Sequence, residues 1–183
     1  DEDVDVDEDE DIYDENRFLE FVVWFGDNEK FGSRMYEYAA SKGYLRCLKY
    51  MYAQRVCDGC GLVGLWVPIR GDKCYKKCNG HVSNRSCLWD ENTCCGAAEN
   101  GHLDCLKYAR ENGCSWDFRT CTYAARGGHL ACLEYARENG CPWGEGVCES
   151  AAENGHLACL KYAHGNGCQW GLNTCEGAAR NGN

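Results

Sequence analysis

The stretch AAENGHLDCLKYARENGC, residues 97–114, decides the fold, because it recurs at 124–141 and at 151–168 with most residues unchanged. The copies begin 27 residues apart, and a Trp precedes each alanine pair by eight residues. A fixed period is typical of a solenoid, in which each repeat buries its apolar side against its neighbours. The recurring positions that we assign to the core are Trp89, Trp116, Trp143, Trp170, Cys94, Cys121, Cys148, Cys105, Cys132 and Cys159.

Each copy predicts a pair of helices. In the copy at 89–115, Cys94 and the alanines 97–98 share one helix face, and we expect a first helix from about residue 92 to residue 100. Asn92 or Thr93 is the expected cap, because a short polar side chain satisfies an unpaired amide at a helix start. Gly101 is expected to end the helix in a left-handed conformation.

The second helix of that copy is expected over about residues 102–112, ending at Gly113. Its apolar residues cover an arc of roughly 220°, wider than the stripe of an ordinary surface helix. Such a helix must be covered on several sides, as in a stack of repeats. Each loop Trp is expected to stack on the Trp of the next repeat, and each indole would bury about 200 Å² in this ladder.

The segment 97–114 resembles the ankyrin repeat, whose second half reads Ala-Ala-x-x-Gly-His-Leu-x-x-Val-x-x-Leu-Leu-x-x-Gly-Ala. The resemblance extends over residues 31–183, with a period of 27 rather than about 33 residues. It implies an all-α solenoid of stacked helix-turn-helix units that binds another protein and is not an enzyme. The shorter period removes much of the β-turn finger, so we expect the first helices and the Trp loops to form the interface.

The same alignment predicts the organisation of the whole chain. The chain stops within a repeat, which predicts that it is part of a longer protein. The predicted segments are a disordered acidic tail at 1–15, an N-terminal capping helix at 16–30, and an ankyrin-like array at 31–183 with repeats 31–58, 59–88 (degenerate), 89–115, 116–142, 143–169 and 170–183 (partial).

The charge pattern and the distribution of apolar residues exclude two classes of partner, nucleic acids and membranes. The 183 residues carry a net charge of −10, but eleven of the 29 acidic residues lie in 1–15, which leaves 18 acids against 19 bases. The remaining chain lacks the basic stripe that nucleic-acid binding requires. It also has no apolar run that would span a bilayer and no visible signal peptide. We therefore expect a monomer with a protein partner, no nucleic acid and no membrane contact.

The 17 cysteines admit three interpretations. Most recur at core positions, which predicts reduced structural thiols, no cofactor, and an intracellular, cytoplasmic protein. One alternative is a zinc-stabilised recognition module, because residues 57–81 contain Cys and His at spacings near those of structural zinc sites. Another is a thiol enzyme or redox sensor, although a catalytic cysteine would occur once rather than in every repeat. The candidate zinc ligands are Cys57, Cys60, Cys74, Cys78 and His81.

Positions that differ between copies are candidates for partner recognition. They follow each Trp and each first-helix Cys, where core packing does not fix the residue. Aromatic and Arg side chains contribute most of the energy of typical interfaces. The predicted partner-binding residues are Phe118, Arg119, Tyr123, Glu145, Glu149 and Leu172.

Overall fold

The computed structural model describes residues 14–20, 22, 33–53, 66–68, 74–76 and 89–182. These residues form first and second helices, which alternate along the chain, and one pair of short strands. The elements are α1 (14–20), α2 (Ser33–Ser41), α3 (Leu45–Ala53), β1 (Trp66–Pro68), β2 (Cys74–Lys76), α4 (Glu91–Glu99), α5 (Leu103–Glu111), α6 (Phe118–Gly127), α7 (Leu130–Glu138), α8 (Glu145–Glu153), α9 (Leu157–Gly165) and α10 (Leu172–Arg180).

The helices pack in two layers. The first helices α2, α4, α6, α8 and α10 contact one another in this order, and the second helices α3, α5, α7 and α9 form the other layer. Alanine and cysteine fill the interface between the layers: Ala97, Ala124 and Ala151 are fully buried. The predicted fold class, a solenoid of stacked ankyrin-like helix pairs, is confirmed by this arrangement.

The first helices begin earlier than we predicted. Asp90 is the N-cap of α4, and its carboxylate accepts a hydrogen bond of 3.0 Å from the backbone N–H of Asn92. Asp117 caps α6 in the same way through the N–H of Arg119. The prediction of Asn92 or Thr93 as the cap was therefore wrong, because Thr93 already lies inside the helix and is fully buried.

Glycine turns lock successive repeats together. Gly128 ends α6 with φ of +79°, and the ring of His156 from the next repeat lies against it. The same contact joins Gly43 to His102, whose Nε2 is 3.1 Å from the carbonyl oxygen of Ser41. The histidines at these turns thus connect one repeat to the next.

The packing of the helices on either side of 59–88 bears on the degenerate repeat that we predicted there. The turn glycines of neighbouring repeats are 27 positions apart at Gly101 and Gly128, but 58 apart at Gly43 and Gly101. Even so, α2 packs directly on α4, as α4 packs on α6. Among the described helices, the contact of α2 with α4 leaves no place in the stack for the first helix of a further repeat between them.

Most of 59–88 lies outside the described residues. Its described part is an antiparallel pair of strands, in which Trp66 pairs with Lys76 and Pro68 pairs with Cys74. The sequence between two stacked repeats therefore contains a strand pair where we predicted helices.

The N-terminal helix lies on the first repeat. Phe18 contacts the rings of Tyr38 and Tyr44, with centroid distances of 5.0 and 5.6 Å. The carboxylate of Glu15 accepts a 2.9 Å hydrogen bond from the backbone N–H of Arg46 at the start of α3, where the helix dipole favours a negative charge. The helix thus includes residues 14 and 15, which we had placed in the disordered tail; residues 1–13 lie outside the described part of the chain.

The predicted Trp ladder is also wrong, since the four loop indoles make no ring contact with one another. Trp116 instead lies between the guanidinium of Arg110, 4.4 Å from its ring centroid, and the ring of Tyr135 at 6.1 Å. An Arg lies six positions before both Trp116 and Trp143, and in each case its planar guanidinium lies over the indole ring. Trp143 has the corresponding neighbours Arg137 and Tyr162.

Trp170 does not belong to the core, contrary to our assignment. Its side chain is 52% exposed, whereas Trp89 is buried.

Candidate protein-binding face of the first helices

The candidate site is the outer surface of the first-helix layer, here called the first-helix face and defined by the outward side chains of α4, α6, α8 and α10. Five of the six predicted partner-binding residues have described side chains, and all five lie on α6 or α8, which are neighbours in the stack. Leu172 is the first residue of α10, but its side chain lies outside the description. The structure thus brings the predicted residues to one side of the array.

Phe118 is the most exposed large apolar side chain on this face, at 59%. It is the first residue of α6, where the N-cap Asp117 fixes the start of the helix. Arg119 follows it and donates from Nε to the Asp117 carboxylate at 2.8 Å. This pairing raises the pKa of the Arg119 guanidinium, so the arginine holds a local carboxylate rather than extending toward a partner.

Tyr123 is half-buried beside a second arginine. The guanidinium of Arg126 lies 4.5 Å from the Tyr123 ring centroid and also pairs with the carboxylate of Glu99 on α4. The hydrogen bond to Glu99 raises the pKa of Arg126. Arg126 therefore links two neighbouring first helices and holds the tyrosine ring in place.

Arg126 and Glu99 were missed by the sequence reasoning. Both occupy the last turn of a first helix, directly before the turn that repeats most strictly. The signal was present, because this position reads Glu99, Arg126, Glu153 and Arg180 in successive copies, so that its charge alternates.

The third part of the face is acidic. Glu145 and Glu149 are one helical turn apart on α8, and neither forms an ion pair within the described residues. Glu153 is one further turn along the same side, since residues four apart share a helix face. The outward side of α8 therefore carries three carboxylates, and its last turn contains no basic residue.

The surface between the Trp loops is less suited to binding than we expected. Arg110 and Arg137 already cover one side of Trp116 and Trp143, and both indoles pack against the core. These indoles are engaged in joining repeats. The first helices are therefore the better candidate interface.

The cysteines whose side chains are described are free thiols, and among these only Cys175 is exposed. Burial raises the pKa of Cys95 and Cys105 to about 12 and that of Cys132 to about 11. The pKa of Cys94 is raised well above its usual value, mainly by a hydrogen bond to Cys114 and to a lesser extent by burial. A nucleophilic cysteine reacts as the thiolate, which a low pKa favours. The pKa values of these thiols are shifted in the opposite direction, so the thiols stay protonated.

One thiol departs from this trend. The pKa of Cys141 is lowered because its sulfur accepts a hydrogen bond from Cys121, whose own pKa is raised by the same contact. Cys141 is nevertheless fully buried, and its thiol contacts the carbonyl oxygen of Asp117 at 3.1 Å. It therefore lacks the access to solvent that a reactive thiol requires.

The candidate zinc ligands lie outside the description. Cys57, Cys60, Cys78 and His81 are not among the described residues, and only the backbone of Cys74 is described, in β2. Within the described part of the chain, no three Cys, His, Asp or Glu side chains converge as a metal site would require. In the same part, no helix combines the length and apolar character needed to cross a bilayer.

Comparison with known proteins adds a structural likeness. No family model and no curated protein matches the chain. The crystal structure of the human ASB11 ankyrin repeat domain is similar to it, with 18% sequence identity and a TM-score of 0.46. The match covers 73% of this chain and 54% of that structure, so this chain spans about half of its length.

Proposed function

We propose that this chain is a non-catalytic, ankyrin-like scaffold that binds another protein through its first-helix face. The observation that carries the proposal is the contrast between two sets of positions in the same helices. Inward positions of α4, α6 and α8 hold the same small residues, a Cys and a pair of Ala, whereas outward positions change from Phe118 on α6 to Glu145 on α8. Packing does not fix the outward residues, so they are available for the recognition of a partner.

The thiols support the same proposal. Their burial and raised pKa values favour a packing role over nucleophilic or redox catalysis. Free cysteines persist in the reducing interior of a cell, which supports a cytoplasmic location. The repeated helix pairs form a surface that suits a protein as binding partner. The scaffold acts as a monomer.

The first prediction concerns the aromatic residues of the face. Replacing Phe118 and Tyr123 together by Ala is expected to abolish partner binding, because both rings leave the centre of the proposed interface. Helicity should be unchanged, since neither ring belongs to the fully buried core. The measurement is affinity capture from source cells with the full chain and the double variant, quantified by mass spectrometry, together with circular dichroism.

A matched control is Leu157→Ala, which removes a side chain that is 58% exposed on the second-helix layer. This variant should capture the same proteins as the wild type. The assignment of the face fails if the double variant captures them equally well, or if Leu157→Ala loses them to the same extent.

A second candidate function is recognition by a zinc-stabilised insertion at 57–81. The observation that favours it is the strand pair that contains Cys74. Two strands of three residues are not stable alone in water, and a structural metal would supply the missing stability. The ligands would be drawn from Cys57, Cys60, Cys74, Cys78 and His81.

Metal analysis tests this candidate. Protein purified without added zinc should contain about one zinc per chain if the site exists. A variant with Ser at Cys57 and Cys60 should lose the metal, whereas a Cys175→Ser control should keep it. Metal-free wild-type protein would exclude the site and leave the scaffold proposal unaffected.

A further inference from the structure

Three successive repeats each bring two cysteines into contact. One cysteine lies on a first helix, and the other follows the second helix of the same repeat, 20 positions later in the chain. The thiols of each pair are joined by a side-chain hydrogen bond. The pairs are Cys94 with Cys114, Cys121 with Cys141, and Cys148 with Cys168. The array therefore contains the same thiol–thiol contact in three repeats.

Both cysteines of a pair lie at the start of a first helix. The second cysteine places its Sγ 3.2, 3.1 and 3.2 Å from the carbonyl oxygen of an N-cap residue, namely Asp90, Asp117 and Gly144. The first cysteine is four positions after that residue, which is about one helical turn. In the third pair, Sγ of Cys148 is also 3.7 Å from the carbonyl oxygen of Cys168. The backbone therefore holds the two sulfur atoms of a pair side by side.

The repeat formed by α2 and α3 folds without this pair. Tyr36 precedes the alanine pair of its repeat by three positions, as Cys94 does. It is fully buried, and its hydroxyl donates a 3.0 Å hydrogen bond to the carbonyl oxygen of Met51. The stack thus accepts, at this position, a residue that cannot form a disulfide. The paired thiols are a property of the repeats that begin with α4, α6 and α8 rather than a requirement of the fold.

We propose that the three pairs are sites of reversible oxidation, at which hydrogen peroxide joins the two thiols of a repeat as a disulfide. In the closed repeat the thiols are protected, since five are 0% exposed and Cys168 is 4% exposed. Oxidation therefore takes place when a repeat opens locally, which costs less free energy than global unfolding. In water a thiol has its ordinary pKa, so part of it is present as the reactive thiolate. Closing of the repeat then returns the oxidised sulfur to its partner.

The reaction balances with one hydrogen peroxide per pair. The thiolate of one cysteine attacks a peroxide oxygen, so that an S–O bond forms, the O–O bond breaks, and hydroxide leaves and takes up the thiol proton as water. The product is a sulfenic acid. The partner sulfur then attacks the sulfenic sulfur, so that the S–S bond forms, the S–O bond breaks, and a second water leaves with the partner's proton. Two thiols are oxidised by two electrons in total, and the peroxide is reduced to two waters.

Peptide mapping after peroxide treatment tests the proposal. The full chain is incubated with hydrogen peroxide at neutral pH, catalase ends the reaction, and free thiols are blocked with N-ethylmaleimide before digestion without reductant. Tandem mass spectrometry should find the three pairs linked, and a phosphine reductant should release them. A Cys175→Ser variant removes the exposed thiol among those described. It should show the same three links, which separates links within a chain from links between chains.

Two alanine variants in one repeat provide a matched comparison. Cys121→Ala should lose the link of that repeat, leave Cys141 open to N-ethylmaleimide after peroxide treatment, and keep the other two links. Cys132→Ala removes a buried thiol of the second helix that belongs to none of the pairs, and it should keep all three links. Circular dichroism shows whether each variant is folded, and the map of the wild-type chain decides the question without either variant.

The disulfides should also raise the resistance of the chain to urea. Each one closes a loop of about 20 residues and thereby restricts the unfolded chain. The oxidised chain should therefore unfold at a higher urea concentration than the reduced chain. An equal or lower concentration would show that the links oppose the fold, and the inference would then be wrong.

Three results of the peptide map would overturn the inference. Sulfinic or sulfonic acids in place of the links would show that the paired sulfur atoms cannot join. Links between other described cysteines, such as Cys132 with Cys159, would show that the contacts in the fold do not select the partner. Thiols that stay free at every peroxide concentration that leaves the chain folded would show that the repeats do not open to the oxidant. None of these measurements involves a partner, so their failure leaves the proposed protein-binding function unaffected.

Discussion

Raising the pH from 8 to 10.5 is expected to unfold the repeats in a concentration of urea that leaves them folded at neutral pH. In the unfolded chain a thiol loses its proton near its ordinary pKa of about 9. In the folded chain burial holds the pKa of Cys105 near 12 and that of Cys132 near 11. Between these values the folded state binds more protons than the unfolded state, so the free energy of unfolding falls as the pH rises.

The size of the effect follows from the number of such thiols. Each thiol that keeps its proton only in the folded chain lowers the free energy of unfolding by about 1.4 kcal/mol per pH unit. Several acting together would remove roughly 5 kcal/mol between pH 9 and 10, which is on the scale of the total stability of a domain. Urea titrations at a series of pH values, with a phosphine reductant present, measure this slope.

A valine variant provides the control. Cys105, Cys132 and Cys159 recur at the same position of the three second helices α5, α7 and α9, and all three are buried. Replacing all three by Val removes three titrating groups and keeps an apolar side chain of similar size. The slope should then be smaller by about 1.4 kcal/mol per pH unit for each thiol removed. An unchanged slope would show that other groups cause the alkaline unfolding.

The helix pairs could be predicted because each one is determined by residues close in sequence. The alanine pair, the turn glycine and the apolar positions of the second helix all lie within 97–114 and recur. The predictions of the degenerate repeat and of the Trp ladder concerned contacts between repeats. Whether α2 meets α4 depends on contacts between residues far apart in sequence, so the repeat pattern did not reveal that these two helices are neighbours in the stack.

The Trp loops show why a recurring residue does not identify its neighbour. A spacing of 27 residues suggested that one indole meets the next. The arginines six positions before Trp116 and Trp143 recur with equal regularity, and their guanidinium groups cover the indoles. A planar guanidinium stacks well on aromatic rings, so a charged residue such as Arg110 can cover an indole as an apolar residue would.

The candidate face was predictable in its location and less so in its details. Variation between copies identified Phe118 and Glu149, and the structure places both on the first-helix layer. The role of Arg126 was missed although the charge at its position alternates between copies, because its two contacts come from different distances along the chain: Tyr123 is on its own helix, and Glu99 is on the helix before it. Such links appear only once the helices are stacked.

Replacing Gly128 by Ala is expected to destabilise the chain more than the same change at Gly140. Both glycines have positive φ, +79° and +83°, so both variants lose about 1–2 kcal/mol from the left-handed backbone. A Cβ at Gly140 meets no atom within 4 Å, whereas a Cβ at Gly128 would lie 2.6 Å from Nδ1 of His156. The imidazole of the next repeat would have to move, which adds roughly 1–3 kcal/mol of packing strain.

A double variant separates the two causes. Removing the ring with His156→Ala should recover the packing part of the Gly128→Ala loss and leave the backbone part, so the effects of the two changes should be non-additive by about 1–3 kcal/mol. The same His156→Ala change should add independently to Gly140→Ala. Urea unfolding of the three single variants, the two double variants and the wild type measures both couplings. Additive losses at Gly128 would mean that the ring does not pack on the turn, and that the histidine does not join the repeats.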